Sequence, residues 1–227
     1  MSGYVYFANH IHAPGDGMTS AMELRADHDL TDVPSIVRGA VKLGLFESVI
    51  VLLVSLVSRL LMDGVLQTVL IGAIVLVGLA GVILLPGLWT RPRTIEGIAG
   101  AAGIGLGAAI VFLLVDVTLL QNIGTYGHRW WDIGGGANWW YHPVWWMVGT
   151  FLPWMGAWIL ANQLTRGAAV SPVGAFGLVI VCSVVVAIVA VLAHFPGAHW
   201  GVGTFGIAFL PGVALATVIS GLGARRA

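Results

Sequence analysis

Two stretches of the chain carry side chains of the types that bind copper, zinc or iron, which are imidazole and carboxylate groups. His128, Asp132 and His142 lie in one stretch, and His194 and His199 lie in the other. In neither stretch is the spacing of these residues diagnostic of a metal site. Hydrogen bonds to water or backbone are therefore the simpler interpretation, and a metal site formed by these five residues is a less favoured alternative.

Three ionisable residues fall inside apolar stretches, where a charge is costly unless it has a partner or a function. Arg59 and Asp116 lie at similar depths near the outer ends of two predicted helices, so we predict an intramembrane ion pair between them. Asp116 could instead bind a proton or a cation. Glu47 lies near the predicted inner end of its helix, where water, Arg91 or Arg166 could reach it.

The overall composition is that of an integral membrane protein. Hydrophobic residues make up 58% of the 227 residues and charged residues only 9%, whereas a soluble domain has about 25% charged residues. Ten basic and ten acidic residues balance each other, so electrostatics predict no nucleic-acid partner. The one cysteine excludes a disulfide within the chain and a cysteine-cluster metal site.

The apolar residues form six stretches, each close to the roughly 20 residues that a helix needs to cross a bilayer. We therefore predict an all-α membrane protein with six transmembrane helices in residues 43–223. The predicted spans are 43–62, 65–88, 97–121, 143–164, 172–194 and 201–223. The last four residues, 224–227, form a basic tail.

Residues 1–42 are predicted to be a polar N-terminal segment that lies in the cytoplasm or on the membrane surface. This segment lacks a basic region followed directly by an apolar run, so it does not resemble a cleavable signal peptide. Near its end, Thr31 or Asp32 can cap a helix that has Pro34 in its first turn. That helix would lead into the first span.

The distribution of basic residues predicts which side of the membrane each loop faces, because cytoplasmic loops carry the excess of lysine and arginine. With both termini in the cytoplasm, eight basic residues fall inside and only Arg59 and Arg129 fall outside. The eight are Arg25, Arg38, Lys42, Arg91, Arg93, Arg166, Arg225 and Arg226. We expect this arrangement in the inner membrane of a bacterium or an archaeon.

A tryptophan-rich loop joins the third and fourth spans and is predicted to lie on the periplasmic or outer face. Six of the ten tryptophans fall between residues 124 and 147. Tryptophan favours the headgroup region, where its ring meets lipid and its N–H meets water. Lipid, a quinone or a carotenoid could bind along such an aromatic belt.

Small residues four positions apart occur on two of the predicted spans. Gly103 and Gly107 form a GxxxG step in the third span, and Gly212 and Ala216 have the same spacing in the sixth. Small faces let two helix backbones approach closely in lipid. We predict packing inside this subunit, with docking onto another protein as the alternative.

Three functional hypotheses follow from this pattern. The favoured one is a non-catalytic integral subunit of a larger membrane assembly, such as a respiratory or photosynthetic complex, whose partners are lipid and other membrane subunits. The second is a transporter of a small solute or ion that uses Asp116 and Glu47, with helices kinked at Pro153 and Pro211. The third is a metal-binding protein or metalloenzyme that uses the outer histidines.

Overall fold

The structure is a computed structural model that describes residues 31–126, 141–165 and 169–222, with only the backbone described at 141–143 and 202. Within these ranges all regular elements are helical. Six helices are long and apolar enough to cross a membrane, which confirms the predicted all-α class and span number. They are α1 Val33–Leu60, α2 Val65–Thr90, α3 Ile95–Val115, α4 Tyr141–Thr165, α5 Pro172–Leu192 and α6 Val202–Gly221.

Helix α1 begins at the predicted cap. Asp32 is the N-cap residue, its carboxylate accepts a hydrogen bond of 3.2 Å from the Ser35 amide, and Pro34 lies in the first turn. This hydrogen bond holds the pKa of the Asp32 carboxyl below its usual value. Because the cap satisfies a free amide at the helix end, α1 starts at Val33, before the apolar span predicted from Leu43.

A short π-helical segment, Asp116–Leu120, continues α3. The Gln121 amide donates to the carbonyl of Asp116, five residues earlier, at 2.9 Å. Segments of this kind are rare and often occur at functional sites. This one turns the end of the helix towards α1, where the Ser55 hydroxyl donates to the carbonyl of Thr125 at 2.5 Å.

Helices α1 to α4 form the main packed unit, and the α5–α6 pair lies beside it. Helices α1 and α4 each pack against both α2 and α3, whereas α5 packs mainly against α6, which in turn packs against α4. The side-chain amide of Asn162 in α4 donates to the Ser220 hydroxyl of α6 at 2.9 Å. Such polar contacts help to hold helices together in lipid.

Small residues lie where the helices approach most closely. Gly105 of α3 faces the carbonyl of Gly149 and the ring of Pro153 in α4, so this proline packs at a helix contact. Gly156 of α4 faces the carbonyl of Ile83 in α2. At both positions a side chain would overlap backbone atoms of the neighbouring helix.

The four residues singled out for helix packing also lie on faces that meet neighbouring helices of this chain. A Cβ atom on Gly107 would lie 2.7 Å from that of Ala40 in α1, and one on Gly103 would lie 3.9 Å from Ile36. Gly212 of α6 faces Ser183 of α5, and Ala216 is fully buried. Docking of these faces onto a second protein stays a prediction.

The direction in which the chain crosses the membrane also stays a prediction. So does the position of the tryptophan-rich loop, since residues 127–140 fall outside the described residues. The same holds for the segment before Thr31 and for the basic tail. The helices and their contacts nevertheless fix the surroundings of two of the three intramembrane ionisable groups, Glu47 and Asp116.

Candidate functional site

Glu47 lies in the middle of α1. It is 14 residues after Val33 and 13 residues before Leu60, which is about 20 Å from either end at 1.5 Å per residue. The apolar pattern alone placed it near the inner end of a span starting at Leu43. The earlier start of the helix places it midway along α1, and its depth in the membrane stays a prediction.

The carboxyl group of Glu47 is buried and incompletely satisfied. The residue is 6% exposed, and within the part of the chain that the structure describes its Oε2 atom has no hydrogen-bond partner. The neighbouring Ser48 hydroxyl donates to the carbonyl of Gly44 at 2.9 Å, so its hydrogen bond lies within its own helix. An unpaired carboxylate in apolar surroundings is costly, so Glu47 is an exception among buried polar groups.

Glu47 borders a cavity of about 220 Å³ between α1, α2 and α4. Apart from Glu47, the lining is aliphatic or aromatic, or is glycine. The other lining residues are Phe46, Ile50, Val51, Val75, Gly78, Leu79, Val82, Trp145, Val148, Gly149 and Leu152. A water molecule takes about 30 Å³ in the liquid, so this volume can hold several waters or a small solute.

Two glycines of the cavity lining lie at close contacts between helices. A Cβ atom on Gly78 of α2 would lie 2.9 Å from a methyl group of Ile50 in α1, and one on Gly149 of α4 would lie 3.1 Å from Ala109 in α3. The backbones therefore approach closely at its edge. Glu47 supplies the only carboxyl group among the lining residues.

Arg91 and Arg166 were the two predicted cationic partners of Glu47. Arg91 is exposed and lines a different cavity, together with Arg38 and Lys42. Arg166 falls outside the described residues. The carboxyl group of Glu47 therefore faces apolar side chains, and not Arg91, in the described structure.

Asp116, by contrast, is a buried carboxylate with well-defined partners. It is fully buried and accepts hydrogen bonds from the Tyr126 hydroxyl and, at 2.7 Å, from the Gln121 side-chain amide. The π-helical segment and the turn after it bring both donors back to the carboxylate. Neither donor could be predicted from the sequence, since neither spacing matches a helical neighbour at three or four positions.

Arg59 lies beside the same turn. Its side chain is exposed, and its Nη2 atom would be 3.9 Å from a Cβ atom on Gly124. Arg59 and Asp116 thus both border the segment that follows the π-helical residues. The contacts described for Asp116 are those with Tyr126 and Gln121, and the ion pair with Arg59 stays a prediction.

Apolar side chains separate the two buried carboxyl groups. Val51 lines the cavity of Glu47 and also packs in a cluster with Phe112. The ring of Trp145, which lines the same cavity, has its centre 4.6 Å from that of Phe112. Transfer of a proton between Glu47 and Asp116 would therefore require water to enter this apolar layer.

The proposed metal ligands are only partly described. His128 and Asp132 fall outside the described residues, and for His142 only the helical backbone is given. His194 and His199 are exposed, and Nδ1 of His199 lies 3.1 Å from the carbonyl oxygen of Gly197. The described residues contain no group of three potential ligands, and a metal site that includes the remaining residues stays a prediction.

Comparison of the chain with protein-family models, curated proteins and solved structures finds no match. A function must therefore be argued from the chemistry of the site and not from the fold. Glu47 and its cavity are the strongest basis for such an argument.

Proposed function

We propose that the protein is a transporter of a small solute or ion, in which the Glu47 carboxyl group binds a proton or a cation. The observation that carries this proposal is the buried Glu47 Oε2 atom, which lacks a hydrogen-bond partner and borders a cavity. Ionisable residues within membrane helices usually mark substrate or ion pathways, or proton relays.

A purely structural role accounts poorly for Glu47. Structural carboxylates have donors, as Asp116 does in Tyr126 and Gln121. Glu47 instead faces an apolar cavity midway along α1, where a proton or a cation would remove the cost of its negative charge. The carboxyl group can then exchange that ligand when water or solute enters the cavity.

The cavity also indicates the class of solute. Its volume of about 220 Å³ and its apolar walls favour a small molecule with little net charge. One polar group on that molecule would find a hydrogen-bond partner in Glu47. Ligand sites commonly combine apolar walls with a few placed polar groups.

The first prediction is that Glu47→Gln abolishes proton movement coupled to solute. Glutamine keeps the size of glutamate but cannot release a proton. The purified protein is placed in liposomes that contain a pH-sensitive dye, and proton entry is recorded under an imposed membrane potential with a panel of small neutral solutes. We expect solute-dependent proton entry with the natural protein and none with Glu47→Gln.

Two control variants separate chemistry from folding. Glu96→Gln changes an exposed carboxylate in the first turn of α3 and should leave proton entry unchanged. Glu47→Asp keeps a carboxyl group and should retain part of the activity. Equal proton entry in the natural protein and in well-folded Glu47→Gln would contradict the proposal.

A subunit of a larger membrane assembly is the second candidate, and uneven helix burial favours it. In the most apolar windows of α2 and α5, only 17% and 22% of residues are buried, compared with 50% for the span that contains α3. Lipid can cover such faces, and so can a neighbouring subunit in a bacterial or archaeal inner membrane. A quinone or carotenoid could occupy the same surface.

The second prediction tests this candidate. Extraction from the native membrane in a mild detergent, followed by native mass spectrometry, should yield the chain bound to another membrane subunit at a fixed ratio. Bulky polar substitutions on exposed α2 residues such as Val69 and Val77 should release that partner. Isolation of the chain alone under every mild condition would count against a subunit role.

A further inference from the structure

A second cavity, of about 300 Å³, lies at the end of the bundle where α1 begins and α2 ends. Three basic side chains border it: Arg38 and Lys42 from α1, and Arg91 from the residue after α2. All three are exposed. Glu47 and its cavity are separate from this site, so the two can be tested independently.

We infer that this basic cavity binds the phosphate group of an anionic membrane phospholipid. Arg38 and Lys42 are four residues apart, which places them on the same face of α1. Phosphate oxygens accept hydrogen bonds from guanidinium and ammonium groups. Basic pockets between membrane helices are suited to acidic lipid headgroups.

The backbone positions Arg91 for this role. It is the C-cap of α2 and has a positive φ of 49°, an uncommon conformation for a residue other than glycine. Its amide donates to the carbonyl of Gly87 at 2.9 Å, which closes the end of the helix. The chain therefore reverses at Arg91 while the residue contributes to the cavity lining.

The uncharged part of the lining favours a lipid over free phosphate. Leu88, Trp89 and Ile104 provide apolar and aromatic surface beside the three cations. Trp89 is half-buried, and tryptophan is favoured at the boundary between lipid and water. A phospholipid satisfies both halves of the cavity, because its phosphate meets the cations and its glycerol and upper acyl chains meet the apolar surface.

No acidic side chain is among the described residues that line this cavity. The exposed Asp32 carboxylate acts on Arg38 through space, but Asp32 also accepts the hydrogen bond that caps α1. Arg38 donates through Nε to the carbonyl of Pro34 at 3.1 Å, which uses one of its five N–H donors. Net positive charge thus remains for an anionic ligand.

The third prediction concerns binding of this lipid by the full chain in neutral detergent. Native mass spectrometry and thermal unfolding are followed during titration with phosphatidylglycerol, phosphatidylcholine or inorganic phosphate. We expect phosphatidylglycerol to bind and raise the unfolding temperature, with much weaker effects from phosphatidylcholine. Inorganic phosphate should neither stabilise the protein nor displace the lipid at millimolar concentration.

Variants locate the lipid at this cavity. The triple variant Arg38→Gln, Lys42→Gln, Arg91→Gln should weaken phosphatidylglycerol binding about a hundredfold, and each single change about fivefold. The double variant Arg38→Lys, Arg91→Lys keeps the charges and should retain most of the binding. It also controls for loss of folding in the glutamine variants.

Three outcomes would overturn the inference. One is equal binding of phosphatidylglycerol to the natural protein and a well-folded triple variant. Another is equal binding of phosphatidylcholine and phosphatidylglycerol. The third is saturable binding of inorganic phosphate that displaces the lipid and is lost in the triple variant, which would identify free phosphate as the ligand.

Discussion

Replacement of Gly156 by valine is expected to reduce sharply the amount of folded protein. Gly156 in α4 lies so close to the carbonyl of Ile83 in α2 that a Cβ atom would overlap backbone atoms. Ile83 is fully buried in the cluster that joins α2, α4, α5 and α6. Backbone atoms cannot rotate away as a side chain can, so α4 would have to move as a whole.

The cost of such a movement is a substantial part of the stability of a typical protein. Inserting bulk into a packed core commonly costs about 1 to 3 kcal/mol, and occasionally more, and backbone overlap at Gly156 places this variant at the upper end. Folded proteins are stable by only about 5 to 15 kcal/mol. We therefore expect much less monodisperse protein than for the natural chain in size-exclusion chromatography of detergent extracts.

Gly177→Val is the matched control for this experiment. Gly177 lies within α5, and a Cβ atom there would meet nothing within 4 Å. Valine changes helix propensity similarly at both positions, so the difference between the variants reports the close helix contact. Equal amounts of monodisperse Gly156→Val and Gly177→Val protein would show that the α2–α4 contact is not as close as described.

The other large expected effect is a loss of stability in Asp116→Ala. Alanine leaves the Tyr126 hydroxyl and the Gln121 amide without their buried acceptor. A buried polar group that loses its partner costs about 1 to 3 kcal/mol. Gln121 is exposed and Tyr126 is partly buried, so we expect a loss of about 1 to 3 kcal/mol that comes mainly from Tyr126. The variant should unfold at a lower fraction of denaturing detergent in mixed micelles.

A double-mutant cycle tests whether the Asp116–Tyr126 contact is the cause. Asp116→Ala and Tyr126→Phe should be non-additive, with a coupling energy of about 1 to 2 kcal/mol. Thr118→Ala provides a control, since the exposed Thr118 hydroxyl donates to the carbonyl of Leu114 in its own helix. The effects of Thr118→Ala and Tyr126→Phe on stability should add. If the effects of Asp116→Ala and Tyr126→Phe also add, the proposed contact is refuted.

The same variants distinguish a structural Asp116 from a functional one. If Asp116 binds a transported proton or cation, Asp116→Asn should stop transport in the fraction of the protein that folds. If its task is to hold Tyr126 and Gln121, stability should fall and the remaining folded protein should still move protons through Glu47. The Glu47→Gln experiment gives the reference for complete loss of proton movement.

Local properties of the sequence were sufficient to predict the helices. Span number depends on the length of apolar stretches, and the start of α1 depends on Asp32 and Pro34, which act on the first turn beside them. Both signals come from residues close together in the chain. The apolar pattern alone nevertheless placed the start of the first span at Leu43, because Arg38 and Lys42 interrupt it.

Only the tertiary structure decided which helix faces are buried. Leu43 is fully buried, whereas Leu45 of the same helix is 49% exposed. Lipid tails are as apolar as a leucine side chain, so membrane helices need no polar face to mark the outside. The sequence therefore lacks the amphipathic periodicity that identifies the buried face of a helix in water.

The candidate sites depend on those faces, and so they could not be derived from the sequence alone. The chain contains Glu47 and Asp116 as two similar carboxylates in apolar stretches. The π-helical segment and the turn after it give Asp116 the donors Tyr126 and Gln121, whereas packing of α1, α2 and α4 gives Glu47 a cavity. Composition and local order thus determined six helices that are long and apolar enough to cross a membrane, whereas the three-dimensional arrangement determined which carboxyl group remains unsatisfied.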